Sequence, residues 1–205
     1  MTTIVCIGDS IVEGEGDESG KSGWAGRLSE KVLKNSKVGE NRVYNLGMGM
    51  ETSIDLLHRF YSEVLYRNPD VIILQASHGD SRSMFNVAGI EEFEIGKGAR
   101  LRMYYRLFDF LKRNGKKVLI LGLNPISLKT KFVKAVPQRS DHIEAHNSGL
   151  KDLCAEHYLA FLDPREIFKG RKLEDFYTDG LHPNAKGYEL MFEKIYKKLK
   201  NLKYL

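Results

Sequence analysis

Five short runs rich in valine, isoleucine and leucine, each set apart from the next by a longer segment of helical period, restrict the folds open to this chain more than any other feature. The runs cover residues 3–7, 42–46, 70–75, 117–121 and 159–162. They do not alternate apolar with polar residues, so the sequence predicts strands buried on both faces. The segments 23–35, 53–67, 98–114, 140–157 and 184–202 read as helices; in 53–67 the apolar positions are Ile54, Leu57, Tyr61, Val64 and Leu65. Gly115 stops the third helix and Pro183 primes the last. Strands alternating with helices give a parallel sheet covered on both sides. The simplest arrangement is a three-layer α/β/α sandwich, its five-stranded parallel sheet in the flavodoxin-like order 2-1-3-4-5.

A chain of 205 residues fits one domain, and no repeat, low-complexity tract or linker divides it. Such a chain buries roughly 70% of its unfolded surface, so it needs neither disulfide nor metal to stay folded. Cys6 and Cys154 lie in apolar contexts and are expected to be free buried thiols. The net charge of +5 collects at Lys194, Lys197, Lys198, Lys200 and Lys203, which we read as the solvated face of the last helix. No nucleic-acid motif accompanies it, so no nucleic-acid partner is expected. Met1-Thr2-Thr3 leads straight into the apolar run Ile4–Ile7 without a charged leader or cleavage site, and no apolar run nears the 18 or so residues of a membrane span. The expectation is a cytoplasmic protein without a membrane span.

In open α/β sheets ligands bind beyond the carboxyl ends of the strands, near the reversal of strand order. Residues 8–23, 47–52 and 76–82 follow the first three strands. Ile7-Gly8-Asp9-Ser10-Ile11 places a serine at the edge of a central strand, where the sheet fixes it and a loop leaves its hydroxyl accessible. Gly79-Asp80-Ser81 repeats the tripeptide, so position, not composition, favours Ser10. A serine hydroxyl is a poor nucleophile near neutral pH and needs a base. Asp179 and His182 stand two residues apart in Tyr177-Thr178-Asp179-Gly180-Leu181-His182-Pro183-Asn184. From one turn the carboxylate can fix the imidazole's tautomer and turn its other nitrogen to the nucleophile.

Here the sequence resembles the GDSL/SGNH hydrolases over nearly its whole length. Ile7-Gly8-Asp9-Ser10 is similar to that family's first block, Asn45–Thr52 to its second, and Asp179–Pro183 to its last; Leu119–Ile126 resembles the strand and turn after the third. The resemblance implies the three-layer fold, Ser10 as nucleophile, His182 as general base and Asp179 as its orienting acid. It implies hydrolysis of a small-molecule ester through an acyl-enzyme, with no cofactor and no metal. Two positions depart from the pattern, both at the oxyanion hole. Met50 stands where the family has a glycine, and Ser77-His78-Gly79-Asp80 replaces Gly-x-Asn-Asp, so the asparagine donor is missing. His78 or the amide of Gly79 is expected to substitute for it; otherwise the amides of Ser10 and Met50 remain.

Two other readings compete. Gly14–Ser22 imitates a phosphate-binding P-loop, but before Gly20 there are three residues counted from Gly16 and five from Gly14, where the motif needs four. Glu13, Glu15, Asp17 and Glu18 would also repel phosphate. A non-catalytic binding protein on the same fold is the second, since fold does not fix function. Residues 127–139 carry Lys129, Lys131, Lys134 and Arg139 and read as a solvated basic loop, with an anionic substrate as the alternative; Trp24 is expected in the core, Phe85 and Phe93 near an acyl pocket.

Overall fold

A computed structural model describes residues 2–34, 36–37, 40–81, 83–85, 91–93, 97–127 and 140–205. Strands β1 (Thr2–Gly8), β2 (Asn41–Gly47), β3 (Val71–Gln75), β6 (Lys117–Leu121) and β7 (Ala160–Leu162) form one parallel sheet in the order β2-β1-β3-β6-β7. This is the expected 2-1-3-4-5 order. A separate antiparallel pair, β4 (Ser83–Phe85) with β5 (Glu91–Phe93), follows the third sheet strand and was not foreseen. The central strands β1, β3 and β6 are buried almost throughout, whereas β2 and β7 are half-exposed. Both of the latter are edge strands, with one neighbour each, so full burial on both faces holds only for the middle of the sheet.

Helices cover the two faces: α2 (Gly23–Lys34) and α7 (Ala185–Asn201) on one, α3 (Ser53–Arg59), α4 (Lys97–Arg113) and α5 (Ser140–Glu156) on the other, with short helices α1 (Ser10–Glu13) and α6 (Arg165–Phe168) at strand ends. The alternation of side chains along a strand sorts the core into two clusters. Val5, Ile7, Ile72 and Leu74 pack with Leu56, Phe60, Tyr104, Phe108 and Leu150, while Ile4, Cys6, Val71 and Ile73 pack with Trp24, Leu28, Tyr188, Met191 and Ile195.

The second predicted helix is α-helical only to Arg59, and continues as a π turn over Phe60–Val64 and a 3₁₀ turn over Leu65–Arg67. Its buried stripe is Leu56, Phe60 and Val64; Ile54 and Tyr61, assigned inward from spacing, are exposed. A strict four-residue step drifts about 40° per turn in an α-helix. The wider π turn removes that drift and keeps the three apolar side chains on the sheet. Among the described residues Cys6 and Cys154 are buried free thiols, no helix is long and apolar enough to cross a membrane, and no group of three His, Cys, Asp or Glu side chains could hold a metal ion.

Candidate active site

Ser10 opens α1 directly beyond β1. Asp9 caps that helix, one carboxylate oxygen accepting from the amide of Ile11 (3.0 Å) and the other from the amide of His78 (2.7 Å). The first strand's end is thereby bound to the third's. Burial pushes the Asp9 carboxyl up to about 6, against the pull of those two amides.

The partners come from the far end of the chain. The turn before α7 is closed by a bond from the amide of Thr178 to the carbonyl of His182 (2.9 Å), and Asn184 caps α7 by accepting from the amide of Gly187 (3.0 Å). Within the turn, Oδ1 of Asp179 accepts from the amides of Leu181 (2.9 Å) and His182 (2.8 Å). Its Oδ2 lies 2.7 Å from Nδ1 of His182, and Nε2 of that ring lies 3.0 Å from Oγ of Ser10. With the Nδ1 proton donated to the carboxylate, Nε2 is left as acceptor for the serine hydroxyl. Ser10 and His182 are both buried. Burial alone would lower the pKa of His182, but the bond and charge of Asp179, then the charges of Glu15 and Asp9, raise it above the ordinary imidazole value. Burial likewise works against the Asp179 carboxylate, yet its bonds to His182 and Leu181 hold it below the usual range. All three residues expected from the sequence thus meet in one relay.

Beneath them runs a buried polar chain that the sequence reading missed. Trp24 donates its indole N–H to Gln75 (3.0 Å), Gln75 donates to the side-chain carbonyl of Asn124 (3.0 Å), and the amide of Asn124 donates to Nε2 of His78 (3.1 Å). Gln75 and Asn124 are fully buried. The available signal was a polar residue closing each of two otherwise apolar runs.

Of the two substitutes expected at the oxyanion hole, His78 belongs to this chain and Gly79 bonds elsewhere. Nε2 of His78 accepts from the amide of Asn124, which leaves the ring proton on Nδ1. The amide of Gly79 donates to Oγ of Ser77 (3.1 Å), and that hydroxyl donates to the carbonyl of Glu51. Met50 has φ of 67° and a side chain 76% exposed, and next to it Gly49 donates its amide to Oε2 of Glu13 (2.7 Å). Behind this loop Arg59 grips both oxygens of Glu51 and donates to the carbonyls of Leu46 (2.7 Å) and Gly8 (3.3 Å).

The stretch that imitates a P-loop is a scaffold of partnered acids. Asp17 takes Arg27, the hydroxyl of Ser19 (2.6 Å) and the amide of Gly23 (2.9 Å); Glu18 accepts from the amide of Ala185 at the start of α7 (2.9 Å). Arg27, buried, also donates to Glu189 (2.9 Å) and to the carbonyl of Ala185 (3.2 Å), so one guanidinium joins the loop after Ser10 to the helix after His182. Gly16 shows why glycine is needed there: with φ of 84°, a Cβ on it would stand 2.9 Å from both Cβ of His182 and the carbonyl of Pro183. Trp24 is in the core, as expected. The basic residues at 129–139 and the side chains of Phe85 and Phe93 lie outside the described residues.

An α/β sandwich with a hydroxyl, an imidazole and a carboxylate in line at the carboxyl edge of its sheet has the layout of a serine-dependent hydrolase. A family model described as GDSL-like Lipase/Acylhydrolase family matches residues 6–190, so the chain belongs to that family of ester-bond hydrolases. A curated relative, the spore germination lipase LipC of Bacillus licheniformis, is 22% identical over 196 residues, 92% of each chain. A lipase/acylhydrolase from Enterococcus faecalis superposes with a TM-score of 0.74 at 23% identity, over 98% of this chain and 96% of its own. Axe2, an acetylxylan esterase from Geobacillus stearothermophilus, superposes with a TM-score of 0.77 at 16% identity, over 97% and 94%. Its structures include catalytic mutants in which a serine, a histidine and an aspartate were each replaced by alanine.

Proposed function

We propose that this protein hydrolyses a small-molecule ester through an acyl-enzyme on Ser10. The observation that carries the reading is the unbroken relay from Oγ of Ser10 to Nε2 of His182 (3.0 Å) and from Nδ1 to Asp179 (2.7 Å). The three residue types replaced in the Axe2 catalytic mutants support it. His182 takes the hydroxyl proton as Oγ bonds to the ester carbonyl carbon, and Asp179 holds the imidazolium that results. The tetrahedral intermediate collapses as His182 hands the proton to the leaving alcohol oxygen. Water, deprotonated by the same nitrogen, then attacks the acyl-enzyme, and as the acid leaves His182 returns that proton to Oγ of Ser10. For the oxyanion the candidate donors are the amides of Ser10, Met50 and Gly79 and the ring N–H of His78. None of these steps uses a cofactor.

A fluorophosphonate probe tests the reading and separates it from a binding protein on the same fold. Wild type is expected to be labelled at Ser10; Ser10→Ala loses both label and esterase activity, while Ser81→Ala, in the second Gly-Asp-Ser, keeps its label. Ester hydrolysis by Ser10→Ala equal to wild type overturns the assignment.

A further inference from the structure

Glu15 is the one acid of the loop after Ser10 that points at the relay rather than at the scaffold. Its Oε2 lies 3.4 Å from Nε2 of His182, on a side chain 59% exposed. Its backbone is pinned: its amide donates to the carbonyl of Ser10 (2.9 Å), its carbonyl accepts the hydroxyl of Tyr188 (2.7 Å), and the next carbonyl, of Gly16, accepts the hydroxyl of Thr178 (3.0 Å). The backbone that brings this carboxylate to the imidazole is therefore held in a fixed frame.

Resting on the acyl-enzyme reading, the leaving oxygen must come within about 3 Å of Nε2 to receive its proton. The alcohol half of the ester then lies within several ångströms of Glu15, whatever the acyl half is. We propose that Glu15 is a specificity-determining residue for that alcohol, admitting cationic or neutral hydroxyl-bearing alcohols and rejecting anionic ones. A glutamine there could make similar hydrogen bonds; what the carboxylate adds is charge. The groups facing the imidazole are Asp179 from its own turn, Glu15 from the loop after α1 and Asp9 from the end of β1, all of them acids. Glu15 is the exposed one, and so the one a substrate meets. Its charge also helps to hold a proton on His182, so its removal shifts the pH dependence of catalysis.

The test compares kcat/KM for acetate esters of choline, 3,3-dimethylbutanol and 3-hydroxypropanesulfonate, which present positive, neutral and negative alcohols, in wild type, Ser10→Ala and Glu15→Gln. Wild type is expected to favour the choline ester over the sulfonate at low salt. Glu15→Gln narrows that ratio about tenfold, as does molar salt in wild type, since a partly exposed charge a few ångströms away acts in a high dielectric and is screened. The rising limb of its pH profile moves to lower pH. An unchanged ratio in Glu15→Gln, with Ser10→Ala inactive, overturns the role of Glu15 alone. Hydrolysis surviving in Ser10→Ala overturns the acyl-enzyme reading beneath it.

Discussion

Gly79→Asn restores the residue that the related hydrolases carry in their third block, and here it is expected to harm the enzyme. Gly79 does not need glycine for its backbone angles, since its φ lies outside the left-handed region, so the substitution probes space alone. A Cβ at this position would fall on the carbonyl oxygen of Glu51, closer than van der Waals contact, and stand 3.1 Å from the carbonyl carbon and 3.2 Å from Oγ of Ser77. Both groups are backbone or already bonded, and Ser77 is fully buried, so the 47–51 loop has to move. Overpacking of this kind costs roughly 1–3 kcal/mol. Loss of the bond from Ser77 to Glu51 adds about 1 kcal/mol. A total of about 2–4 kcal/mol lowers Tm by roughly 5–15 °C for a chain this size. The moving loop carries the amide of Met50, and displacing a donor by about 1 Å can lower turnover a hundredfold. Differential scanning calorimetry and steady-state kinetics on Gly79→Ala and Gly79→Asn read both effects. Gly79→Ala, which adds only the clashing carbon, should show most of the stability loss. A Gly79→Asn variant with wild-type Tm and equal or faster turnover refutes the argument.

Three further outcomes follow from the site. Because the base must be neutral to act, kcat/KM should rise with pH through a midpoint above the ordinary 6.5 of histidine, and Asp179→Asn should lower that midpoint and activity about 10⁴-fold; a profile flat from pH 5 to 8 contradicts this. For stability the signs differ: raised His182 favours the fold below 6.5 and loses that contribution as pH rises through its own pKa, while lowered Asp179 contributes above 3.8 and loses it as pH falls. The difference in urea midpoint between wild type and His182→Ala should therefore be largest between about pH 4 and 6.5, and a pH-independent difference counts against the pairing. Met50→Gly should raise stability by about 0.5–1 kcal/mol, because a left-handed residue other than glycine is strained by about 1–2 kcal/mol and glycine returns part of that through unfolded-state entropy. With 76% of Met50 exposed there is little packing to lose, so a drop in the urea midpoint would show that the side chain holds the loop.

The central strands and the Asp179–His182 pair were legible because each rests on local composition, runs without alternation in the one case and a single turn in the other; the place of Ser10 beside them came from the strand-end rule and the family resemblance. What stayed hidden was long-range or too short to carry a period. The β4–β5 pair has three residues a strand, fewer than alternation needs to declare itself. In the second helix, Ile54, Leu57 and Tyr61 fit a 3.6-residue period as well as Leu56, Phe60 and Val64 fit the π turn that forms, and spacing cannot tell an i+4 bond from an i+5 bond. The acids at 13–18 looked like obstacles to a phosphate, but their partners Gly49, Arg27 and Ala185 come from other elements. Likewise, nothing near His78 announces that its ring would be occupied by the amide of Asn124, 46 residues on.

The Arg27 node gives the site an order of assembly in time. Ser10 and His182 are 172 positions apart, and the helix that follows His182 is fastened to the loop after Ser10 through one guanidinium. At roughly 5–20 residues per second, the ribosome delivers His182 about 10–30 s after Ser10. Throughout that interval the serine of a nascent chain lacks the imidazole that the proposed mechanism needs to deprotonate it. On the proposed mechanism, competence waits for α7 to reach the loop after Ser10, where Arg27 bonds Glu189 and the carbonyl of Ala185. If the proposed relay is the catalytic one, folding is also the enzyme's activation.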